Sequence, residues 1–226
     1  MRPIRAAWLG LAILSFTLGY LSIIIGSMAV AAPNWTSYAV GIQPYLYEIV
    51  QVNRDRGLWE ECVAIPWIFS GQCVPTVRSP QTCPLNENAK QIIAGWRSAP
   101  ILLVFALCFL MIILIVMTVI CTIDWRNPDK WSILAVKYTL LIGGSLVWIC
   151  AFLFYVGMIL YYHSITMENL VGKANIPIPR SSWSQELRNT TFVEQGVGPL
   201  VGWTAYTMIF TSSMLFMATG ALVLPE

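Results

Sequence analysis

The stretch Gly57-Leu58-Trp59-Glu60-Glu61-Cys62, with Cys73 further along, decides how this chain is read. It lies in a polar segment between two long hydrophobic runs. Trp35 stands just past the first run and Arg97 just before the second. A lone Trp-x-x-Cys carries little information, but this constellation between two membrane-length runs is specific.

Working outward, four apolar blocks cover about 6–32, 99–123, 133–162 and 200–224, each longer than the ~20 residues that cross a hydrocarbon core. The chain is 57% hydrophobic and 11% charged, far from the roughly 25% charge of a water-soluble domain. No Asp or Glu interrupts the blocks. Lys137 is their only cation, near one end of the third, where its stem can snorkel to the headgroups. Four transmembrane helices follow. The first block also resembles a secretory signal, with Met1-Arg2-Pro3-Ile4-Arg5 ahead of it and Ala29-Val30-Ala31 near its end. Signal cores run about 7–15 residues, so the longer block is read as an uncleaved span.

Orientation follows from Lys and Arg at the span ends. Arg2 and Arg5 precede the first span, and Arg126, Lys130 and Lys137 crowd the short segment joining the second and third. The two longer loops carry balanced charge: five basic and five acidic residues over 48–97, three of each over 168–194. Both termini are therefore expected in the cytosol at the plasma membrane, with loops 33–98 and 163–199 outside. Cys62, Cys73 and Cys83 all fall in the first outside loop, where disulfides persist. Asn34-Trp35-Thr36 and Asn189-Thr190-Thr191 are glycosylation sequons on that side. Asn34 sits close to the membrane, so Asn189 is the better candidate.

The Gly-Leu-Trp-x-x-Cys…Cys pattern, with Trp35 and Arg97 in their places, resembles the claudin superfamily, which includes claudins, peripheral myelin protein relatives and auxiliary subunits of calcium channels and glutamate receptors. The resemblance covers the chain as one domain, 1–226. It implies an all-α membrane fold: a four-transmembrane left-handed helix bundle with a small extracellular antiparallel β-sheet. It also implies a Cys62–Cys73 disulfide stapling that sheet, with Trp35, Gly57, Leu58, Trp59 and Arg97 as family positions and Trp59 packed near the membrane face. Cys83 is then the odd cysteine, and three cysteines still permit other pairings.

Strand-favouring residues occupy 37–52 and 58–69, broken by Pro44 and Pro66, so short, bent strands are expected. Residues 86–96 read as a helical approach to the second span. The third block, if helical to Tyr162, rises about 45 Å and projects beyond the bilayer. Ser15/Gly19, Ser22/Gly26 and Gly198/Gly202 are small residues four apart, the spacing that lets helix backbones approach. The second span has no glycine between Ile101 and Ile120 and should turn a broad face to lipid or to a partner helix.

Catalytic patterns are missing from the sequence. His163 is the one histidine, and there is no His-Glu-x-x-His, phosphate loop, dinucleotide fingerprint or Cys-x-x-Cys. No enzyme activity, metal, cofactor, small-molecule substrate or nucleic-acid partner is expected. No span carries an ionisable stripe suited to a transport pathway. The segment between Cys62 and Cys73 has no charge and includes Trp67, Ile68 and Phe69. An uncharged hairpin cannot select ions by a fixed field. Its apolar tip is either a partner-docking surface or the loop's own core and headgroup anchor. The chain stops at Leu224-Pro225-Glu226, without the Tyr-Val terminus of many claudins. The favoured function is an auxiliary subunit of an ion channel or receptor. A junctional claudin-like protein that seals cell contacts through like neighbours is the alternative. The expected partners are membrane lipid and other membrane proteins.

Overall fold

A computed structural model describes residues 3–40, 54–63, 72–75, 87–126, 130–171 and 191–222. In chain order these form α1 (Pro3–Ala31), β1 (Thr36–Val40), β2 (Arg54–Arg56), β3 (Glu60–Val63), β4 (Gln72–Pro75), α2 (Glu87–Arg126), α3 (Lys130–Val171), β5 (Thr191–Gln195) and α4 (Val197–Leu222). All four helices are long and apolar enough to cross a membrane, over Trp8–Ala31, Ala94–Ile123, Leu134–Met167 and Val197–Leu222. The expected four-span fold with a small antiparallel sheet is what the chain adopts.

The chain divides into two compact units. The first comprises Met1–Ser27, Leu103–Tyr155 and Gly202–Glu226. Here each helix packs on the next and α4 closes back on α1. Gly26 lies against Leu107 and Gly19 against Leu114, so seven residues along α1 match seven back along α2, which makes the pair antiparallel. Ser212 Oγ donates to the Ser15 carbonyl at 2.8 Å and Trp8 Nε1 to the Thr219 carbonyl at 3.0 Å, giving the same antiparallel step between α4 and α1. Gly143 abuts Met117, and Gly144 and Gly220 abut Met217 and Leu141, which join α3 to α2 and α4. With no hydrophobic drive between helices in lipid, such close backbone approach is what holds them. Ser15, Gly19, Ser22 and Gly26 are all buried, so the small-residue stripe of α1 is a packing face. From Ile101 to Ile123, where it has no glycine, α2 turns Ile101, Phe105, Ile112, Ile115, Val119 and Ile123 outward.

The second unit comprises Met28–Leu102 and Val156–Val201 and contains the whole sheet. The strands run in the order β4-β3-β2-β1-β5, every pair antiparallel. The second loop thus supplies an edge strand, β5, that its polar sequence does not announce. In addition, α3 continues to Val171, nine residues past the apolar run ending at Tyr162. Residues 163–171 contain neither Gly nor Pro, so nothing breaks the helix once it leaves the apolar stretch. At 42 residues, α3 is about 63 Å long, twice the hydrocarbon thickness of roughly 30 Å. Pro100 sits inside α2 and offers no N–H to the Trp96 carbonyl one turn earlier.

Candidate functional site

The site grows from the end of α1. Pro33 cannot extend the helix, so the last carbonyls of α1 need other donors. Two tryptophans supply them. Trp35 Nε1 donates to the Ala29 carbonyl at 2.8 Å, and Trp59 Nε1 to the Val30 carbonyl at 2.9 Å. Trp35 is fully buried, whereas Trp59 is 48% exposed.

Gly57, Leu58 and Trp59 are the three-residue connection of the β2–β3 hairpin, closed by Gly57 N–H donating to the Glu60 carbonyl at 2.8 Å. Each position has a separate task. A Cβ on Gly57 would stand 2.9 Å from the Pro33 carbonyl oxygen and 3.0 Å from that of Ala32, both backbone atoms that cannot yield. Leu58 is buried, and Trp59 reaches back to α1.

Trp35 is locked from every side. Its backbone N–H donates to the Arg56 carbonyl at 2.6 Å, and its own carbonyl accepts from Gly196 N–H at 3.1 Å. Its ring meets Tyr161 of α3 edge-on at 4.7 Å. The Tyr161 hydroxyl in turn hydrogen-bonds Thr36 Oγ1 at 3.0 Å. Gly198, in the first turn of α4, lies so close that a Cβ would press into the indole. One side chain thus ties α1, the sheet, α3 and α4.

Arg56 is the residue that sequence reasoning missed. It is fully buried, with its guanidinium 4.8 Å from the Trp96 ring centroid and 5.5 Å from that of Tyr38. Cation–π contacts of this kind gain strength once desolvated, to about 2 kcal/mol or more. Trp96 Nε1 has no hydrogen-bond partner among the described residues. Arg97, the expected family arginine, is exposed on α2. No sequence signal separates the two: Arg56 lies in a charged tripeptide, Arg54-Asp55-Arg56, that reads as a solvated loop. Its burial follows from the register Thr36↔Arg56, which places it on the same face as buried Thr36 and Tyr38. The opposite face carries exposed Asp55 and Glu194 flanking Ser37, whose hydroxyl donates to Asp55 Oδ1 at 2.6 Å.

Cys62 and Cys73 are direct cross-strand partners in the β3–β4 ladder. Trp67, Ile68, Phe69, Cys83 and Asn189 lie outside the described residues. Asn34 is described: its carbonyl accepts from Gly198 N–H at 3.0 Å, while Thr36 of the same sequon is buried. No group of three or more His, Cys, Asp or Glu that could hold a metal occurs among the described residues.

The family model for PMP-22/EMP/MP20/Claudin tight junction proteins matches residues 20–218. The chain belongs to this claudin family. No curated protein matches it. For a claudin-family member, the structure gives the motif a physical meaning: Trp35 and Trp59 cap the first span, and Gly57 lets the sheet come down onto that cap. This is a multi-pass membrane protein.

Proposed function

We propose that this claudin-family protein acts by binding rather than catalysis, as an auxiliary or regulatory subunit of an ion channel or receptor at the plasma membrane, with both termini cytosolic and the sheet outside. One observation carries the proposal. Strands β3 and β4 pair antiparallel, and the sequence that separates them, Ala64-Ile65-Pro66-Trp67-Ile68-Phe69-Ser70-Gly71, has no charge and two aromatic side chains. Such a sequence suits the apolar core of a protein interface and not an ion-selective wall. The outward apolar face of α2 offers matching surface within the membrane. A subunit of this kind shifts gating or trafficking by favouring one state of its partner.

The Cys62–Cys73 disulfide belongs to the same proposal. Directly opposed residues of an antiparallel pair have Cα atoms about 4.5–5.5 Å apart, within the roughly 4.4–6.8 Å range of disulfides. A four-residue hairpin strand gains much from such a staple. Glycosylation at Asn189 is also proposed, and disfavoured at Asn34.

The test is co-purification from native membrane in mild detergent. Trp67→Ala and Phe69→Ala should reach the surface yet lose the co-purifying channel or receptor. Undiminished co-purification in both variants would contradict the docking role of this segment. The second reading, a junctional protein, is favoured by the tight-junction description of the matching family. Strands at cell contacts, formed in cells lacking any partner channel, would establish it.

A further inference from the structure

We infer that the outer edge of β5, which no described strand covers, is a self-association site that pairs antiparallel with β5 of a second copy of this chain. Among the described strands, β4 and β5 form the two edges of the sheet, and they differ. β4 ends in Pro75, which has no N–H to offer a neighbour, a common way of closing an edge. β5, Thr191-Phe192-Val193-Glu194-Gln195, has no proline and no lysine. It pairs with β1 through five consecutive residues without a bulge. A straight strand of this type is a template for another.

The direction of its peptide groups follows from one bond. Gly196 N–H donates to the Trp35 carbonyl, in line with the Thr36↔Gln195 register. In an antiparallel ladder the bonded residues alternate. Phe192 and Glu194 therefore turn their N–H and C=O groups to β1, and Thr191, Val193 and Gln195 turn theirs to the open edge. Those three positions are symmetric about Val193. A two-fold axis there sets Val193 opposite Val193 of the other copy and Thr191 opposite Gln195, so every outward donor and acceptor is used. Glu194, the one charge in the strand, then falls opposite Phe192 of the other copy and never opposite itself. Phe192 is 62% exposed and Glu194 is exposed, so both are available for that cross-strand contact.

The register makes a specific test. Full-length Phe192→Cys and Glu194→Cys proteins, purified in detergent, are oxidised separately and as a mixture, with the parent protein as the baseline. Opposed positions come within disulfide reach, whereas like positions are diagonal neighbours about 7–8 Å apart, beyond it. The mixture should give a heterodimer several-fold above either variant alone. Val193→Pro and Gln195→Pro each remove an outward N–H without touching a bond to β1. Introduced into the cysteine variants, they should abolish the cross-link while leaving the monomer's elution and melting temperature unchanged. A mixture no better than its components, or cross-linking that survives both prolines, overturns the inference. Cross-linking seen only with Asn189→Gln overturns it too, because a glycan and not a second copy would then cover the edge.

Discussion

Replacing Gly198 by alanine would place a methyl carbon 2.5 Å from Trp35 Nε1 and 2.9 Å from its Cγ. The indole cannot step aside. It is fully buried, its Nε1 is held by the Ala29 carbonyl at 2.8 Å, and Tyr161 backs its ring at 4.7 Å. Overpacking a filled core costs about 1–3 kcal/mol, and a rigid neighbour puts Gly198→Ala at the upper end, near 3 kcal/mol. With a shift of about 2–4 °C per kcal/mol for a chain of this size, the melting temperature in detergent should fall by about 6–12 °C. A double-mutant cycle isolates the contact. Trp35→Ala alone loses about 3–5 kcal/mol as a buried aromatic. In that background the Gly198→Ala clash disappears, so the double variant should melt close to Trp35→Ala. A Gly198→Ala protein within about 2 °C of the parent, less than a 1 kcal/mol effect, would refute the lock, as would a double variant whose loss is the sum of the two.

Other outcomes follow from the same unit. Arg56→Ala should cost about 2 kcal/mol or more by removing desolvated cation–π contacts to Trp96 and Tyr38, while exposed Arg97→Ala should cost under about 0.5 kcal/mol; thermal melts of the two variants compare them directly. Tyr161→Phe and Thr36→Val should each lose about 1 kcal/mol, and together scarcely more, because they share one hydrogen bond. Gly144→Val, pressed against the Met217 backbone N at 3.0 Å, should lower recovery of monodisperse protein far more than Gly10→Val, which meets open space.

Much of this architecture is legible in the residues, for physical reasons. Spans show because lipid demands about 20 apolar residues in a row, and the Ser15/Gly19/Ser22/Gly26 stripe shows because only small side chains allow close helix contact. Helix α2 starts at Glu87, where the approach over 86–96 is expected. What stays hidden depends on long-range register. Arg54-Asp55-Arg56 has poor strand propensity, yet forms β2 because neighbours on both sides supply its ladder bonds. β5 is likewise a strand only because β1 lies beside it. Trp35 and Trp59 stand out in the sequence, but their shared role as donors to the end of α1 appears only once the chain is folded.

The most direct measurement concerns the staple that the functional proposal requires. Trypsin cuts after Arg56, Arg78 and Lys90, so Cys62 and Cys73 share peptide 57–78 while Cys83 lies in 79–90. Non-reducing mass spectrometry of protein alkylated at the cell surface should find peptide 57–78 two hydrogens lighter than its dithiol form, with no alkyl group. A dialkylated 57–78, or one joined to 79–90, would contradict the account.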